Sequence, residues 1–243
     1  MSSPTVLELF CGAGGLALGL EMAGFNAVAT IDNDKHSSNT LKINRPDWNV
    51  VCNDIAIVDP SDVYNGEIDV LSGGPPCQSF SYAGKKMGFE DVRGTMFYEY
   101  ARFLQHFKPK MFIFENVKGL ATHDKGRTIN TILSIFEDIG YRVVWKVLNA
   151  WDYNVPQKRE RAILIGTRYD LDIDFNYPPH YKIGQYWVML LKMCQTVYAR
   201  STQMLRNAYL AISHKVDIGD MPHLRSFKIM LKRLFLMAGV MVF

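Results

Sequence analysis

The sequence predicts an α/β fold with a mostly parallel sheet, and three observations support this prediction. Over residues 1–170, short apolar runs rich in β-branched residues alternate with segments of helical period. Glycine turns and acidic residues follow several predicted strands, as they do at the carboxyl edge of parallel sheets. The length of 243 residues, with 48% hydrophobic and 21% charged residues, suits a globular chain with an ordinary core.

The elements predicted before residue 73 are short, and each of the two helices among them is followed by a residue that stops helices. Gly24 closes the first predicted helix, and Pro46 stops the second. In chain order, these elements are strand 5–10, helix 16–23, strand 26–31, helix 35–43, strand 50–52 and strand 68–72.

A polar, glycine-bearing loop over residues 73–94 then interrupts the alternation. Loops of this length inside a compact domain are uncommon and usually functional. Helix 95–107 follows, and its apolar face is expected in the core, as is that of the amphipathic helix 128–139. The remaining predicted strands are 111–114, 141–148 and 162–166.

The composition argues against secretion and membrane insertion. No N-terminal segment joins a basic start to an apolar run, and no apolar run approaches the roughly 20 residues that a membrane span needs. The four cysteines, at positions 11, 52, 77 and 194, fit no zinc spacing. We therefore expect a reducing, cytoplasmic location and no metal site.

The glycine-rich segment Phe10–Gly15 follows the first strand and opens the first helix. Glycines there let the backbone approach a ligand and expose helix N-terminal N–H groups. Asp32, after the second strand, could bind ribose hydroxyls, and Asp54, after the third, could accept from an adenine amino group. A plain tight turn, or the glycine loop of a dinucleotide oxidoreductase, would also explain the glycines. The three strand ends together favour an adenosine-containing cofactor at the carboxyl edge of the sheet.

The segment Gly73–Ser81, with the sequence GGPPCQSFS, follows another strand. Its two prolines stiffen the backbone and would hold Cys77 at the top of the sheet. A lone cysteine is usually buried and inert, but a polar loop at a ligand edge favours a nucleophilic thiolate.

Two charged segments follow strands or precede them near the same predicted edge. Glu115 and Asn116 end a strand; the carboxylate could act on a heterocycle that faces Cys77, or it could be a helix cap or a solvated charge. The run Gln157–Arg161 precedes a strand; its arginines could hold a base carbonyl or a phosphate, or the run could be a solvated loop.

Taken together, these segments resemble the DNA (cytosine-5)-methyltransferase family. The likeness runs from about Thr5 to about Pro179, with five motifs in the family's order. It implies a Rossmann-like, S-adenosylmethionine-dependent methyltransferase fold with helices on both faces of the sheet. It also implies double-stranded DNA as substrate, in a restriction–modification or orphan context, and nucleoid association in a prokaryote. The motifs are FCGAGG, GGPPCQSFS, EDVRGTMF, ENVKG and QKRERA.

The resemblance assigns roles to the charged and nucleophilic residues. The cysteine that matches Cys77 attacks carbon 6 of a cytosine that has been flipped out of the duplex. The glutamate that matches Glu115 contacts N3 and the amino group of the base. The arginine that matches Arg161, with Arg159 nearby, contacts the base and helps position the cysteine. Carbon 5 then accepts the methyl group, and loss of its proton releases the enzyme.

The same resemblance implies the contacts of the two ligands. Asp32 stands where the family more often has glutamate, a conservative departure. The residues implied around S-adenosylmethionine are Phe10, Gly12, Gly14, Gly15, Asp32, Asp54, Ile55 and Pro76. Those implied near the DNA are Gln78, Ser79, Ser81, Arg93 and Asn116, the first four on a loop that closes over the substrate.

The composition changes near residue 180. Residues 1–180 carry a net charge of −4, whereas residues 181–243 carry +7 and hold 7 of the 12 methionines. We expect a catalytic and cofactor-binding domain at 1–180 and an atypical basic, Met-rich tail at 181–243. The tail would be an unusual or truncated target-recognition segment, or out-of-frame translation after a frameshift, the reading that the abrupt change favours. Alternatively, the chain would be the large subunit of a split enzyme whose partner supplies the recognition and closing segments.

Three alternatives to an active DNA methyltransferase remain open. A tRNA methyltransferase of the same family would share the motifs. An inactive, truncated methyltransferase, or a split large subunit alone, would bind DNA or cofactor without turnover. A dinucleotide oxidoreductase would give no role to the Pro-Pro-Cys loop or to the Glu-Asn-Val strand end.

Overall fold

The computed structural model describes residues 3–76, 95–171 and 174–179, and the strands within them form one seven-stranded sheet. These strands are β1 (Thr5–Leu9), β2 (Asn26–Asp32), β3 (Val50–Cys52), β4 (Val70–Gly73), β5 (Met111–Val117), β6 (Tyr141–Asn149) and β7 (Glu160–Arg168). Their order across the sheet is β3-β2-β1-β4-β5-β7-β6.

The pairing confirms the prediction of a mostly parallel sheet. Strands β3, β2, β1, β4 and β5 pair in parallel, so their carboxyl ends meet at one edge. Strand β7 runs antiparallel to both β5 and β6 and therefore begins at that edge. Because Val117 pairs with Arg161, the first residues of β7 lie beside the last residues of β5.

Five α-helices connect these strands in the described residues. Every predicted element is present with its predicted type, and two of the strands are longer than expected by three residues or more. Strand β5 continues to Val117 because Val117 pairs with Arg161 of β7, and β7 begins at Glu160 because Glu160 pairs with Asn149 of β6. The prediction missed α3, a single turn that begins at a proline. The helices are α1 (Gly15–Met22), α2 (Lys35–Asn44), α3 (Pro60–Val63), α4 (Met96–Phe107) and α5 (Arg127–Ile139).

An aromatic core lies between the sheet and helices α4 and α5. Phe97 and Tyr100 of α4 meet Phe114 of β5 and Phe136 of α5, edge to face, with ring centroids 5.1–6.1 Å apart. All four rings are buried, and each full burial is worth about 1.5–3 kcal/mol. The expected core positions of these two helices are thus confirmed.

Helix α1 packs on the opposite face of the sheet. Its Leu20 joins Val6, Ala27 and Val70 in a second buried cluster. Helices therefore cover both faces, as predicted. In the described part of the chain, no helix is long and apolar enough to cross a membrane.

Candidate active site

The turn after β1 is held in a conformation that few side chains adopt. Phe10 has a φ of 55°, Gly12 one of 51°, and Gly14 one of 84°. At Gly14 a side chain would also clash, because an added Cβ would overlap Cδ2 of Leu41 in α2. A left-handed phenylalanine costs free energy, and such strain concentrates at functional sites.

Asp32, at the end of β2, braces this turn. Its Oδ2 accepts a 2.7 Å hydrogen bond from the Gly12 N–H, and its Oδ1 accepts one of 2.8 Å from the Asp34 N–H. Each carboxylate oxygen can accept more than one hydrogen bond, so Asp32 could still accept from a ribose. The predicted ribose contact is untested; the structure assigns Asp32 a second task in holding the glycine turn.

The predicted adenine contacts lie beyond the turn, after β3. Asp54 is exposed, and its Oδ1 caps a short 3-10 turn by accepting from the Ala56 N–H at 3.0 Å. The Ile55 side chain is buried in the core, so an adenine contact there would use its backbone.

The segment after β4 is locked to the end of β5. The buried Asn116 side chain donates from Nδ2 to the Pro75 carbonyl at 3.0 Å, and its Oδ1 accepts from the Val117 N–H at 2.9 Å. Gly74 lies against Glu115, and an added Cβ would be 2.9 Å from Glu115 Oε2. Both polar atoms of the Asn116 side chain thus have partners within the chain. Its contact with DNA stays a prediction.

Glu115 and Arg161 form an ion pair across β5 and β7. Arg161 Nε lies 2.7 Å from Glu115 Oε1, and the side chains are only 17% and 22% exposed. Arg159 lies close by, and partial burial, followed by the nearby charge of Arg161, lowers its pKa. The structure therefore brings together the three charged residues that the motifs predicted.

Asn149, which the sequence did not single out, fixes the loop that leads to these arginines. Its Oδ1 accepts hydrogen bonds from the Trp151 and Arg159 N–H groups, both at 3.2 Å. The Ala150 N–H also donates to the Arg159 carbonyl at 3.0 Å. Asparagine side chains often hydrogen-bond backbone N–H groups in turns. An asparagine at a strand end therefore does not by itself reveal this role in the sequence.

A cavity of about 290 Å³ lies between the glycine turn and the Glu115–Arg161 pair. Of the predicted residues, those that line it are Phe10, Gly12, Gly15, Pro76, Glu115, Asn116, Arg159 and Arg161. Those that do not are Gly14, Asp32, Asp54 and Ile55. Five predicted residues lie outside the described ranges: Cys77, Gln78, Ser79, Ser81 and Arg93.

Glu8 also lines the cavity, from β1, and is only 3% exposed, although the sequence did not single it out. In the sequence, Glu8 is a single acid inside an apolar strand, and no spacing marks it. A larger groove of about 970 Å³ lies at the opposite, amino edge of the sheet and contains none of the predicted residues.

Known proteins that are similar to this chain identify its family. A family model for C-5 cytosine-specific DNA methylase matches residues 4–224. That range runs past residue 180, the expected domain boundary, which stays a prediction. The chain is similar to the type II methyltransferase M.Sau96I of Staphylococcus aureus, with 51% identity over 189 residues, 77% of this chain and 44% of that protein.

Two further similarities differ in coverage. The chain is 39% identical over 189 residues to the type II methyltransferase M.AquIA of Picosynechococcus, 72% of this chain and 76% of that protein. A crystal structure of a DNA modification methyltransferase from an Escherichia coli prophage matches with a TM-score of 0.60 and 29% identity, over 72% of this chain and 49% of that one. The chain thus spans less than half of M.Sau96I and most of M.AquIA.

Proposed function

Because this chain belongs to the C-5 cytosine-specific DNA methylase family, we propose that it methylates carbon 5 of cytosine in double-stranded DNA, using S-adenosylmethionine and Cys77. The observation that carries the proposal is the Glu115–Arg161 ion pair beside the cavity. It sets a carboxylate and a guanidinium where a base could be gripped on two sides, next to the segment that leads to Cys77. The names of the curated relatives support a type II restriction–modification context.

The residues around the cavity fit a cofactor with an adenosine and a charged amino-acid end. The glycine turn exposes backbone at the start of α1, where anionic groups bind well. When bound, S-adenosylmethionine supplies an electrophilic methyl group on a sulfonium. Phe10, Gly12, Gly15 and Pro76 would line its site. A volume of about 290 Å³ is near the lower end for small-molecule sites.

In this proposal the chain's own groups activate the base. The Cys77 thiolate adds to carbon 6, and Glu115, in its protonated form, donates a hydrogen bond to N3 so that the electron pair can move onto the ring. Carbon 5 then acts as the nucleophile and takes the methyl group. Loss of the carbon 5 proton to a base returns the electron pair, breaks the bond to Cys77 and restores the thiolate. Arg161 contacts both Glu115 and the base and so keeps them in position, with Arg159 beside it.

Transfer of labelled methyl groups from S-adenosylmethionine tests this function and its tRNA alternative together. We expect label in duplex DNA, none in tRNA, and none in DNA with a Cys77→Ser variant. A Cys52→Ser variant is the matched control and should keep the activity, because Cys52 ends β3 and does not line the cavity. Label in tRNA alone would reject the DNA assignment, and label in neither substrate would reject activity of this chain by itself.

We also propose that a second polypeptide supplies the recognition and closing segments. Two observations favour it. The match with M.AquIA covers similar shares of both chains, so a family member of about this length exists. Helix α1 also has two apolar side chains one turn apart on its outer side, Leu18 at 36% and Met22 at 56% exposed, and adjacent exposed apolar residues can mark a contact surface.

Coexpression tests this second proposal. Translation of the flanking DNA in every frame should reveal a separate open frame with the family's remaining segments. Its product should raise methyl transfer, and Leu18→Glu should remove that gain while Ile43→Glu, on the exposed side of α2, should not. Absence of such a frame, or a gain that Leu18→Glu leaves intact, would reject it. The cytoplasmic location, the nucleoid association and the nature of the tail stay predictions.

A further inference from the structure

Arg102, on helix α4, connects this helix to a turn that is distant in sequence. Its Nη2 donates to the Ile55 carbonyl at 2.8 Å and to the Val58 carbonyl at 3.0 Å. Its Nε donates to the Glu99 carboxylate, one turn earlier on α4, at 2.7 Å. The Arg102 and Glu99 side chains are only 27% and 9% exposed, so solvent screens these charge-assisted bonds little. Arg102 therefore fixes residues 54–58, the 54–58 turn, against α4.

The 54–58 turn has little stability of its own. The Ile57 N–H donates to the Asp54 carbonyl at 3.1 Å, and the Val58 N–H donates to the Ile55 carbonyl at 3.3 Å. These bonds close three residues of 3-10 helix, a form with poorer hydrogen-bond geometry than the α-helix. The two hydrogen bonds from Arg102 therefore add substantially to what keeps this turn in one conformation.

The turn lies at the carboxyl edge of the sheet, beside the strand end that braces the glycine turn. It follows β3, and the Asn53 N–H just before it donates to the Asp32 carbonyl at 3.0 Å. The predicted ribose and adenine contacts, Asp32 and Asp54, thus lie on neighbouring strand ends. Neither residue lines the cavity of about 290 Å³, so the adenosine end of a bound cofactor would extend from the cavity along this edge towards the turn.

The conformation of the turn determines where the Asp54 carboxylate lies. Asp54 Oδ1 accepts from the Ala56 N–H, which belongs to the turn, at 3.0 Å. A carboxylate has a second oxygen, and Oδ2 can accept from the amino group of a ligand. If the two carbonyls that Arg102 binds were to shift, the Ala56 peptide between them would shift as well, and Asp54 would follow it. Arg102 can therefore act on Asp54 through the backbone without touching a ligand.

We propose that Arg102 is a positioning residue that makes the cofactor site selective for adenine. It fixes the 54–58 turn so that Asp54 accepts a hydrogen bond from the 6-amino group of the base. This inference rests on the proposed function, which supplies the adenosine-containing methyl donor. Hypoxanthine carries an oxygen where adenine carries this amino group. That oxygen would face the Asp54 carboxylate, so a ligand with hypoxanthine should bind more weakly.

A role limited to stability predicts a different pattern. Removal of the Arg102 guanidinium leaves the buried Glu99 without this ion pair, which destabilises the fold. A less stable chain that is still folded would bind adenine and hypoxanthine ligands with an unchanged preference. Displacement of Asp54 would lower the preference itself. The ratio of the two dissociation constants therefore separates a positioning role from a structural one.

Calorimetric titration of the full chain with S-adenosylhomocysteine and with S-inosylhomocysteine measures this ratio. The two ligands differ only in the base. The wild type should bind the adenine ligand at least about tenfold more tightly than the hypoxanthine ligand. Arg102→Met should lose most of this preference, because binding of the adenine ligand weakens and binding of the hypoxanthine ligand does not. Arg102→Lys keeps a cation with three donors but lacks the planar fork, so it should recover part of the preference.

Arg45→Met is the matched control. Arg45 also joins two elements, because its Nε donates to the Glu21 carboxylate of α1 at 3.0 Å and its Nη1 donates to the Asn44 carbonyl of α2 at 2.8 Å. These partners do not belong to the 54–58 turn. Arg45→Met should therefore keep the wild-type dissociation constants for both ligands.

The contrary outcomes are distinct. A preference that Arg102→Met leaves intact, or equal weakening of both ligands, would overturn the inference and leave the proposed function standing. Equal binding of the two ligands to the wild type would also overturn it, because Asp54 would then not contact the base. Failure of both ligands to bind would reject the proposed cofactor site and the inference with it. If Arg102→Met does not fold, the double variant with Glu99→Gln removes the buried charge together with its partner, and its ratio decides.

Discussion

The two sides of the cavity are built by different means. On the side of β1 and β2, the wall consists mainly of backbone: Phe10 and Gly12 have positive φ, and the Gly12 N–H donates to Asp32. On the side of β5 and β7, the wall consists of charged side chains, with Glu115 and Arg161 paired at 2.7 Å. The first side therefore suits binding of a cofactor to fixed backbone groups. The second suits chemistry on a base whose charge changes during the reaction.

This comparison makes a simple prediction for mutations. Changes on the β1–β2 side should alter cofactor affinity, and changes on the β5–β7 side should alter the rate of methyl transfer. Any variant that breaks this division would show that the two sides act as one.

The largest effect is expected for Glu115→Gln. The amide keeps the shape of the side chain, but it cannot give a proton to the base and loses the ion pair with Arg161. General acid–base groups are worth about 10²–10⁴ in rate, so we expect single-turnover methyl transfer to fall by that factor. Cofactor affinity, measured by calorimetry, should change little. A large loss of affinity with an unchanged rate would contradict the division.

A smaller loss of rate is expected for Gly74→Ala. The new Cβ would be 2.9 Å from Glu115 Oε2, so the carboxylate must move. Displacement of a catalytic group by about 1 Å can cost on the order of 100-fold, and we expect a loss between about 10-fold and 100-fold. Gly119→Ala is the matched control, because its Cβ meets only Val117 at 4.0 Å. Equal losses in both variants would point to a general loss of stability.

On the other side of the cavity, Asp32→Asn should weaken cofactor binding about tenfold and leave the rate at saturating cofactor unchanged. The variant replaces one acceptor oxygen by an N–H group, so either the Gly12 or the Asp34 hydrogen bond is lost. Asp59→Asn is a matched control, since Asp59 also accepts from a backbone N–H, that of Ser61, away from the cavity. A changed rate of methyl transfer at saturating cofactor, in Asp32→Asn but not in Asp59→Asn, would contradict the division between the two sides.

The smallest effect concerns the amino edge, which neither side of the cavity uses. A hydrogen bond from Lys110, and then one from the Thr5 N–H, lower the pKa of Asp69. Because this pKa is lower in the folded state, Asp69 stabilises the protein above its unfolded pKa of about 3.9, and the contribution is lost as the pH falls through the folded value. Asp69→Asn should lower the free energy of unfolding by about 1 kcal/mol near neutral pH and by less in acid. Denaturant titrations at both pH values measure this, and a change in methyl transfer would contradict the separate role of the amino edge.

Much of the fold could be predicted because its signals are local. The aromatic spacing of α4 placed Phe97 and Tyr100 in the core, and the glycines after β1 marked the turn. Element ends were less predictable, because the extension of β5 to Val117 depends on pairing with β7, which is distant in sequence.

The site was predictable where a motif carries the chemistry and not where the fold alone does. Glu115, Arg159 and Arg161 were found from their segments, and the structure brings them together. Glu8 escaped, because its partners Thr30 and Ser72 become its neighbours only through the strand order. The hydrogen bond from the Arg159 N–H to Asn149 was missed for another reason: asparagines are common in turns, so Asn149 does not stand out in the sequence.

Covalent trapping tests the central claim most directly. In duplex DNA with 5-fluorocytosine at every cytosine, the fluorine cannot leave as a proton does, so elimination stops and the enzyme stays bound to the base. With S-adenosylmethionine present, the account predicts a DNA adduct that survives denaturation for the wild type and for Cys52→Ser, and none for Cys77→Ser. A folded chain that binds the cofactor and yields no adduct, or an adduct that persists in Cys77→Ser, would contradict it.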